Sequence, residues 1–209
     1  MADDRIDTAL APLLERRSVK SFGPVGPTSA ELDAILRAAA TVPDHGSLRP
    51  WRFVVVEGDA RQVFGEALAA AAQEAGLATS PETVERVRSK AFLAPALVAV
   101  VARVDASAKV PAWEQVASAS CAGYAIALAA DRLGLGAIWK SAAAHDGTSL
   151  RRVLEMGPDD VFLGWVNIGR AANGFASNGD TRPPVDLRPI ARSLRADGAV
   201  TGWEPDSWS

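Results

Sequence analysis

One cysteine, Cys121, stands in 209 residues. A lone thiol closes no internal bridge and builds no cysteine-rich metal site, so a reducing, cytoplasmic setting is expected rather than secretion. Histidine is nearly as scarce: His45 and His145 are far apart and neither lies in an HExxH pattern, so no metal site is legible. No apolar run reaches the roughly 20 residues that a bilayer-spanning helix needs. The longest runs, near 91–102 and 121–130, are cut by Pro95 or flanked by charge, and a soluble protein is expected. Asp3, Asp4 and Asp7 lead into no apolar segment, which argues against a secretory signal. There is no basic excess either, since the net charge is -3, and that leaves no footprint for nucleic acid. GxGxxG, GxxxxGK[ST] and GxSxG are all missing, because Gly134-Leu135-Gly136 runs on into Ala137-Ile138-Trp139. Rossmann, P-loop and serine-hydrolase chemistry therefore have no support.

What is present fits one folded domain. Hydrophobic residues at 48% and charged residues at 22% are those of an ordinary globular chain, long enough to build a core without staples. Ile6, Leu10, Leu13 and Leu14 recur at helical spacing and predict a first helix ending near Glu15. Thr28 with Glu31 forms a capping-box pattern ahead of Leu32, Ile35, Leu36 and Ala39, so a second helix runs to about Thr41. A turn cluster at 43–47 precedes Trp51–Val56, read as a largely buried strand. Asp59 is placed to cap a third helix carrying Val63, Phe64, Ala67, Leu68 and Ala71, and Ser80-Pro81 opens a fourth.

Ala96–Val104 reads as a strand, and Pro111 opens a long helix to about Leu133. Its small residues Ala119, Ala122, Gly123 and Ala127 allow another backbone to approach, and Cys121 in its apolar stretch reads as an inert buried thiol. Gly136–Trp139 is a short strand, a helix begins at Thr148 or Ser149, and Val161–Ile168 is another strand. Beyond Gly169 periodicity weakens, and 170–209 lacks the pattern of an independent core. The order of elements predicts an α+β fold with a mixed, mainly antiparallel sheet of four to five strands surrounded by helices.

Three clusters could carry chemistry. Arg16-Arg17-Ser18 leaves a helix in an extended path, where alternate residues project together, so Arg16 and Ser18 would face one target. A planar guanidinium and a hydroxyl suit a phosphate monoester or a ribityl chain. The alternative is a basic helix end answering the macrodipole. Pro43 to Trp51 gathers donors and acceptors before a strand, a common place for a ligand and equally an ordinary turn. Trp139-Lys140-Ser141 ends a strand with an apolar wall and a cation, or with a plain surface lysine. Trp113-Glu114 near a helix start reads as packing plus a favourable N-terminal acid.

Taken in order, these clusters resemble the nitroreductase family of FMN-dependent oxidoreductases, and more closely its small NAD(P)H nitroreductase branch. The resemblance rests on Arg16-Arg17-Ser18, on Pro43-Asp44-His45 with Ser47 and Pro50-Trp51, on Val110-Pro111 with Trp113-Glu114-Gln115, and on Ile138-Trp139-Lys140-Ser141, across about residues 7–170. It implies an intertwined homodimer with two FMN molecules in the shared seam. Residues 1–170 would then be the flavin-binding domain and 171–209 a C-terminal extension wrapping the partner. By the same carry-over, Arg16, Arg17 and Ser18 contact the flavin phosphate and ribityl region, Thr41 and His45 make further flavin contacts, and Trp139, Lys140 and Ser141 form a second flavin-binding strip. Thr41 stands where family members often have a basic residue. Lys140 stands where the branch usually has arginine, a point charge in place of a bidentate fork. Arg170 or Arg182 would be an additional phosphate ligand, and Ala129–Gly134 matches a stretch linked to the nicotinamide.

The activity implied is ping-pong transfer of hydride from NADH or NADPH to the flavin and then to a nitroaromatic, quinone or similar small acceptor. The cofactor performs the chemistry, so no catalytic side chain is singled out. The alternatives are a flavin-sequestering or regulatory binding protein of the same fold, a specialised flavin-modifying member, and a flavin-free interaction domain.

Overall fold

The computed structural model describes residues 2–172 and 185–203, with side chains from residue 8 onward. The chain divides into two units, Met1–Ala176 and Ser177–Ser209. In the first, helices α1 (Ala2–Glu15), α2 (Ser29–Ala39), α3 (Ala60–Glu74), α4 (Pro81–Arg88), α5 (Ala112–Arg132) and α6 (Thr148–Val153) alternate with strands β1 (Trp51–Glu57), β2 (Ala96–Ala102), β3 (Gly136–Lys140) and β4 (Val161–Gly169). This is the expected order. The strands lie side by side as β1-β2-β4-β3, and the three pairings among the described residues are all antiparallel.

Alternation along β2 builds two cores. Leu97, Ala99 and Val101 pack under α3 and α6 with Phe64, Leu68, Leu150, Leu154, Phe162 and Trp165. Val98 and Val100 face the other way, onto Leu32, Ile35, Ile126, Ala130, Val166 and Ile168. All seven residues of β2 are buried, as a strand covered on both faces requires. β1 differs from expectation: as the sheet edge it buries only Val56, and its other residues are half-buried or exposed.

Local chemistry accounts for the helix starts. Thr28 and Glu31 form a reciprocal capping box, and so do Ser80 and Thr83. Asp59 occupies the cap position of α3 without a side-chain hydrogen bond, because its backbone is already helical there; the expected side-chain cap is not formed. Val63 is exposed, whereas its expected companions Phe64, Ala67, Leu68 and Ala71 are buried. Outside β3 the strip 19–25 continues the sheet irregularly, with Val19 N–H donating to the Ala137 carbonyl (3.0 Å) and Gly23 N–H to that of Arg170 (2.9 Å). Among the described residues no helix is long and apolar enough to cross a membrane.

The second unit holds a hairpin the sequence reading did not anticipate, β5 (Arg192–Leu194) against β6 (Val200–Gly202). Its turn is closed by Arg195 N–H donating to the Ala199 carbonyl at 2.8 Å, with Gly198 at φ +85°. A glycine in the left-handed region after Asp197 is the usual device of a short hairpin loop.

Candidate functional site

The two N-terminal arginines separate in space. Arg17 folds back, and its Nη1 donates to the carbonyls of Leu14 and Glu15 at 3.0 and 2.9 Å. These are carbonyls that a helix end leaves without intrahelical partners, so Arg17 takes the helix-capping role weighed for this cluster. Arg16 instead lies with its guanidinium 5.9 Å from the centre of the Tyr124 ring on α5, within cation–π range. Burial raises the Asp131 carboxyl above its ordinary range; Arg16 and Arg132 oppose that shift and Glu15 adds to it. Arg16 thus stands on a face of α5 that carries both an aromatic ring and a carboxylate.

Val19 turns inward so tightly that a Cβ on Gly136 would stand 2.9 Å from its methyl groups. In an extended strip, Ser18 and Lys20 project to the opposite side, and both are exposed. Lys20 joins the Ser18 side of the strip, and its place two residues beyond Ser18 was the signal for it.

β3 ends in a cavity of about 390 Å³ lined by Ser89, Lys90, Phe92, Leu93, Lys140, Ser141 and Trp165. A bulge in β4 shapes it. Val100 pairs with Gly164 and Val101 with Phe162, leaving Leu163 as the extra residue. The Leu163 carbonyl accepts the indole N–H of Trp139 at 3.0 Å. Gly164, at φ +101°, lies where a Cβ would collide with the Lys140 carbonyl, so only glycine lets the two strands close at this point.

The structure therefore brings Lys140 and Ser141 together and directs the Trp139 side chain elsewhere. Trp139 packs on Gly123 of α5, where a Cβ would meet the ring at 2.5 Å, on the sheet face opposite Trp165. The apolar walls of the cavity are instead Phe92, Leu93 and Trp165. With Ser89 and Lys90 these residues escaped the sequence reading, because a turn before β2 gives no local sign that it faces the end of β3.

Thr41 and His45 lie apart from Arg16. The Thr41 hydroxyl donates to the Ala38 carbonyl at the end of α2 (2.8 Å). His45 is exposed, with Nδ1 2.9 Å from the Glu114 carboxylate in the first turn of α5. Its loop is held in an uncommon backbone form, with Ser47 at φ 54° and Arg49 at φ 48°. Asp44 Oδ2 accepts the Arg49 N–H at 2.7 Å. Glu114 and Tyr124 are ten residues apart on α5, which at 1.5 Å per residue is about 15 Å along the axis. One copy of the chain does not bring His45 to Arg16.

Arg170 and Cys121 remain to be placed, and for Cys121 the expectation changes. Arg170 is held by Glu31, with Nη2 to Oε1 at 2.7 Å, and joins β4 to α2, while Arg182 lies outside the described residues. Cys121 is exposed, because α5 turns Ala119, Ala122 and Gly123 inward and Cys121 away from the sheet.

Residues 13–170 match the family model described as Nitroreductase family. The chain is 37% identical over 161 residues to "Putative NAD(P)H nitroreductase YdjA" of Escherichia coli K12, covering 77% of this chain and 87% of that one. It is 36% identical over 162 residues to "Putative NAD(P)H nitroreductase" of Haemophilus influenzae, with coverage of 77% and 87%. Among solved structures, a nitroreductase-like family protein from Bacillus cereus superposes with TM-score 0.68 at 24% identity, covering 83% of this chain and 89% of that one. A nitroreductase with bound FMN from Bacteroides fragilis gives TM-score 0.64 at 24% identity, covering 87% and 96%. These structural likenesses carry the fold, the sequence matches carry the kinship, and the chain belongs to the nitroreductase family.

Proposed function

We propose that this protein is an FMN-dependent oxidoreductase that draws electrons from NADH or NADPH and works as a homodimer. The observation that carries the proposal is the donor set at the end of β3. Lys90, Lys140, Ser89 and Ser141 line the cavity there together with Phe92, Leu93 and Trp165, and no carboxylate residue is in the lining among the described residues. Such a cavity suits a planar, acceptor-rich, electron-poor ring, and the isoalloxazine of FMN is one. Relatives named as NAD(P)H nitroreductases and a structural neighbour with bound FMN support the same reading.

In this arrangement Arg16 and Ser18 hold the phosphate and ribityl end, and Arg17 fixes the exit of α1 so that both are presented. Lys140 and Ser141 hold the ring. Lys90 and Lys140 favour added negative charge on whatever ring the cavity holds. When bound, FMN supplies the redox chemistry, taking electrons from the nicotinamide and delivering them to a nitroaromatic, quinone or similar acceptor in a separate, ping-pong half-reaction. The protein residues align the ring and supply charge.

Thr41 and His45 enter as contacts from the second copy. A twofold axis crossing α5 midway between Glu114 and Tyr124 sets the His45 end of one helix beside the Arg16 end of the other. The extension 171–209 then wraps the partner. In its described part Leu194 and Val200 face each other across the hairpin, both exposed. A two-stranded hairpin needs such a surface to rest on. The single thiol suits a cytoplasmic setting.

The deciding measurement is the visible spectrum of the purified protein before and after anaerobic NADPH. A yellow protein that bleaches, and regains its colour with unchanged FMN when a quinone is added, is the expected result. A colourless protein that takes up no FMN overturns the proposal. A yellow protein inert to both NADH and NADPH is a flavin-sequestering one.

A further inference from the structure

We infer that the buried indole N–H of Trp165 is a hydrogen-bond donor into the cavity at the end of β3, which makes Trp165 a binding residue for the carbonyl-bearing edge of the ring held there. The inference rests on the FMN reading above and adds a residue to it.

Trp165 is 1% exposed, and its Nε1 has no hydrogen-bond partner among the described residues. An indole N–H is donor only, and buried donors are nearly always satisfied, so an orphan on a residue that lines a cavity calls for a partner that arrives in that cavity. Independently, the same residue lines the cavity, and Lys140 stands directly across from it in the β3–β4 register. The neighbouring tryptophan supplies the contrast. Trp139 lies on the other face of the sheet and spends its N–H on the Leu163 carbonyl, so an indole donor in this sheet is satisfied where the chain itself offers a carbonyl.

The Trp165 ring is fixed. Phe64 meets it edge-on at 5.6 Å and 79°, and Phe162 stacks with it at 6.3 Å and 7°. A donor held in a cluster of three mutually packed rings loses little freedom on binding, which is the condition for a preorganised contact. Trp165, Lys90 and Lys140 offer donors only, and the two serine hydroxyls can donate or accept. The complementary ligand therefore brings acceptors on a flat ring, as the two carbonyls of isoalloxazine do, and a cation or an amine-bearing ring does not fit.

Two measurements on the full-length protein test this. FMN is titrated into apoprotein labelled with 15N at tryptophan, and each indole N–H is followed. The Trp165 resonance is expected to move downfield and exchange more slowly with solvent, while that of Trp139 stays in place. Trp165→Phe keeps an aromatic ring against Phe64 and Phe162, removes the donor, and is expected to weaken FMN binding about five- to tenfold, the net worth of one such bond. A Trp165 resonance unmoved at FMN saturation overturns the inference and assigns the donor to a buried water. A folded Trp165→Phe protein with the wild-type dissociation constant overturns it as well. A wild-type protein that binds no FMN overturns the parent reading and this inference together, a result distinct from the other two.

Discussion

Arg16 and Arg17 are adjacent in sequence and end with different partners, and the difference is testable one residue at a time. Arg17 satisfies the carbonyls of Leu14 and Glu15, whereas Arg16 rests over Tyr124. Arg16→Ala is expected to strip FMN far more readily than Arg152→Ala, a substitution of an exposed residue on α6. Equal flavin retention after gel filtration in the two variants removes Arg16 from the site. Asn167 makes a different point. It is fully buried on β4, and neither its Nδ2 nor its Oδ1 has a partner among the described residues. Replacing an unsatisfied buried amide by an apolar group of similar size removes a desolvation cost, so Asn167→Leu is expected to raise stability by about 1 kcal/mol. The urea midpoint of the holoprotein reads this directly, and a lower midpoint refutes it.

At the scale of elements, the junction of α2 with β4 depends on one carboxylate. Glu31 accepts from the Thr28 backbone at 2.7 Å and from Arg170 at 2.7 Å. The Thr28 backbone bond first, then the Arg170 hydrogen bond, hold its carboxyl below the ordinary value of 4.5. A lowered carboxylate stabilises the fold fully above that ordinary value and loses its contribution as pH falls through the folded value. Glu31→Gln should therefore cost stability at neutral pH, about 1 kcal/mol for a cap and a half-exposed ion pair. The gap to wild type should close as the pH drops below about 4, followed by thermal unfolding across pH 3–7. A gap that widens in acid contradicts the assignment. This capping box was legible in the sequence because its partners lie three residues apart, and the order of elements was legible because each carries its own period. The cavity was not, since Lys90, Lys140 and Trp165 meet only through the pairing of β3 with β4 and the turn before β2. The β4 bulge escaped for the same reason, as Gly164 declares its purpose only once the Lys140 carbonyl is seen against it. The β5–β6 hairpin did leave a sign, Asp197-Gly198 between short β-formers.

At the scale of the whole first unit, its described residues leave an apolar surface exposed. Trp113, Ala117, Cys121 and Tyr124 are all exposed and recur at helical spacing, forming one stripe down α5, with Trp113 70% exposed. On α1, Leu10, Leu13 and Leu14 are exposed as well. Contiguous apolar surface of this kind marks an interface, and a self-complementary helix packed about a twofold axis is the simplest partner. The proposed axis would account for the separation of His45 from Arg16 along α5, because each end of the helix would then complete the site begun by the other copy. Cys121 lies in the middle of the stripe and reports on the packing. In the proposed dimer the wild-type thiol should resist an aromatic disulfide reagent until the protein is unfolded. Trp113→Glu places a charge in the seam, and it is expected to yield a monomer by light scattering whose Cys121 reacts at the rate of a free surface thiol. With the flavin contacts drawn from both copies, as proposed, that monomer should also lose its FMN while keeping the helical and strand content of the fold. A wild-type protein that scatters as a monomer with a freely reactive Cys121, or a Trp113→Glu monomer that retains FMN at wild-type affinity, would place the whole flavin site within one chain.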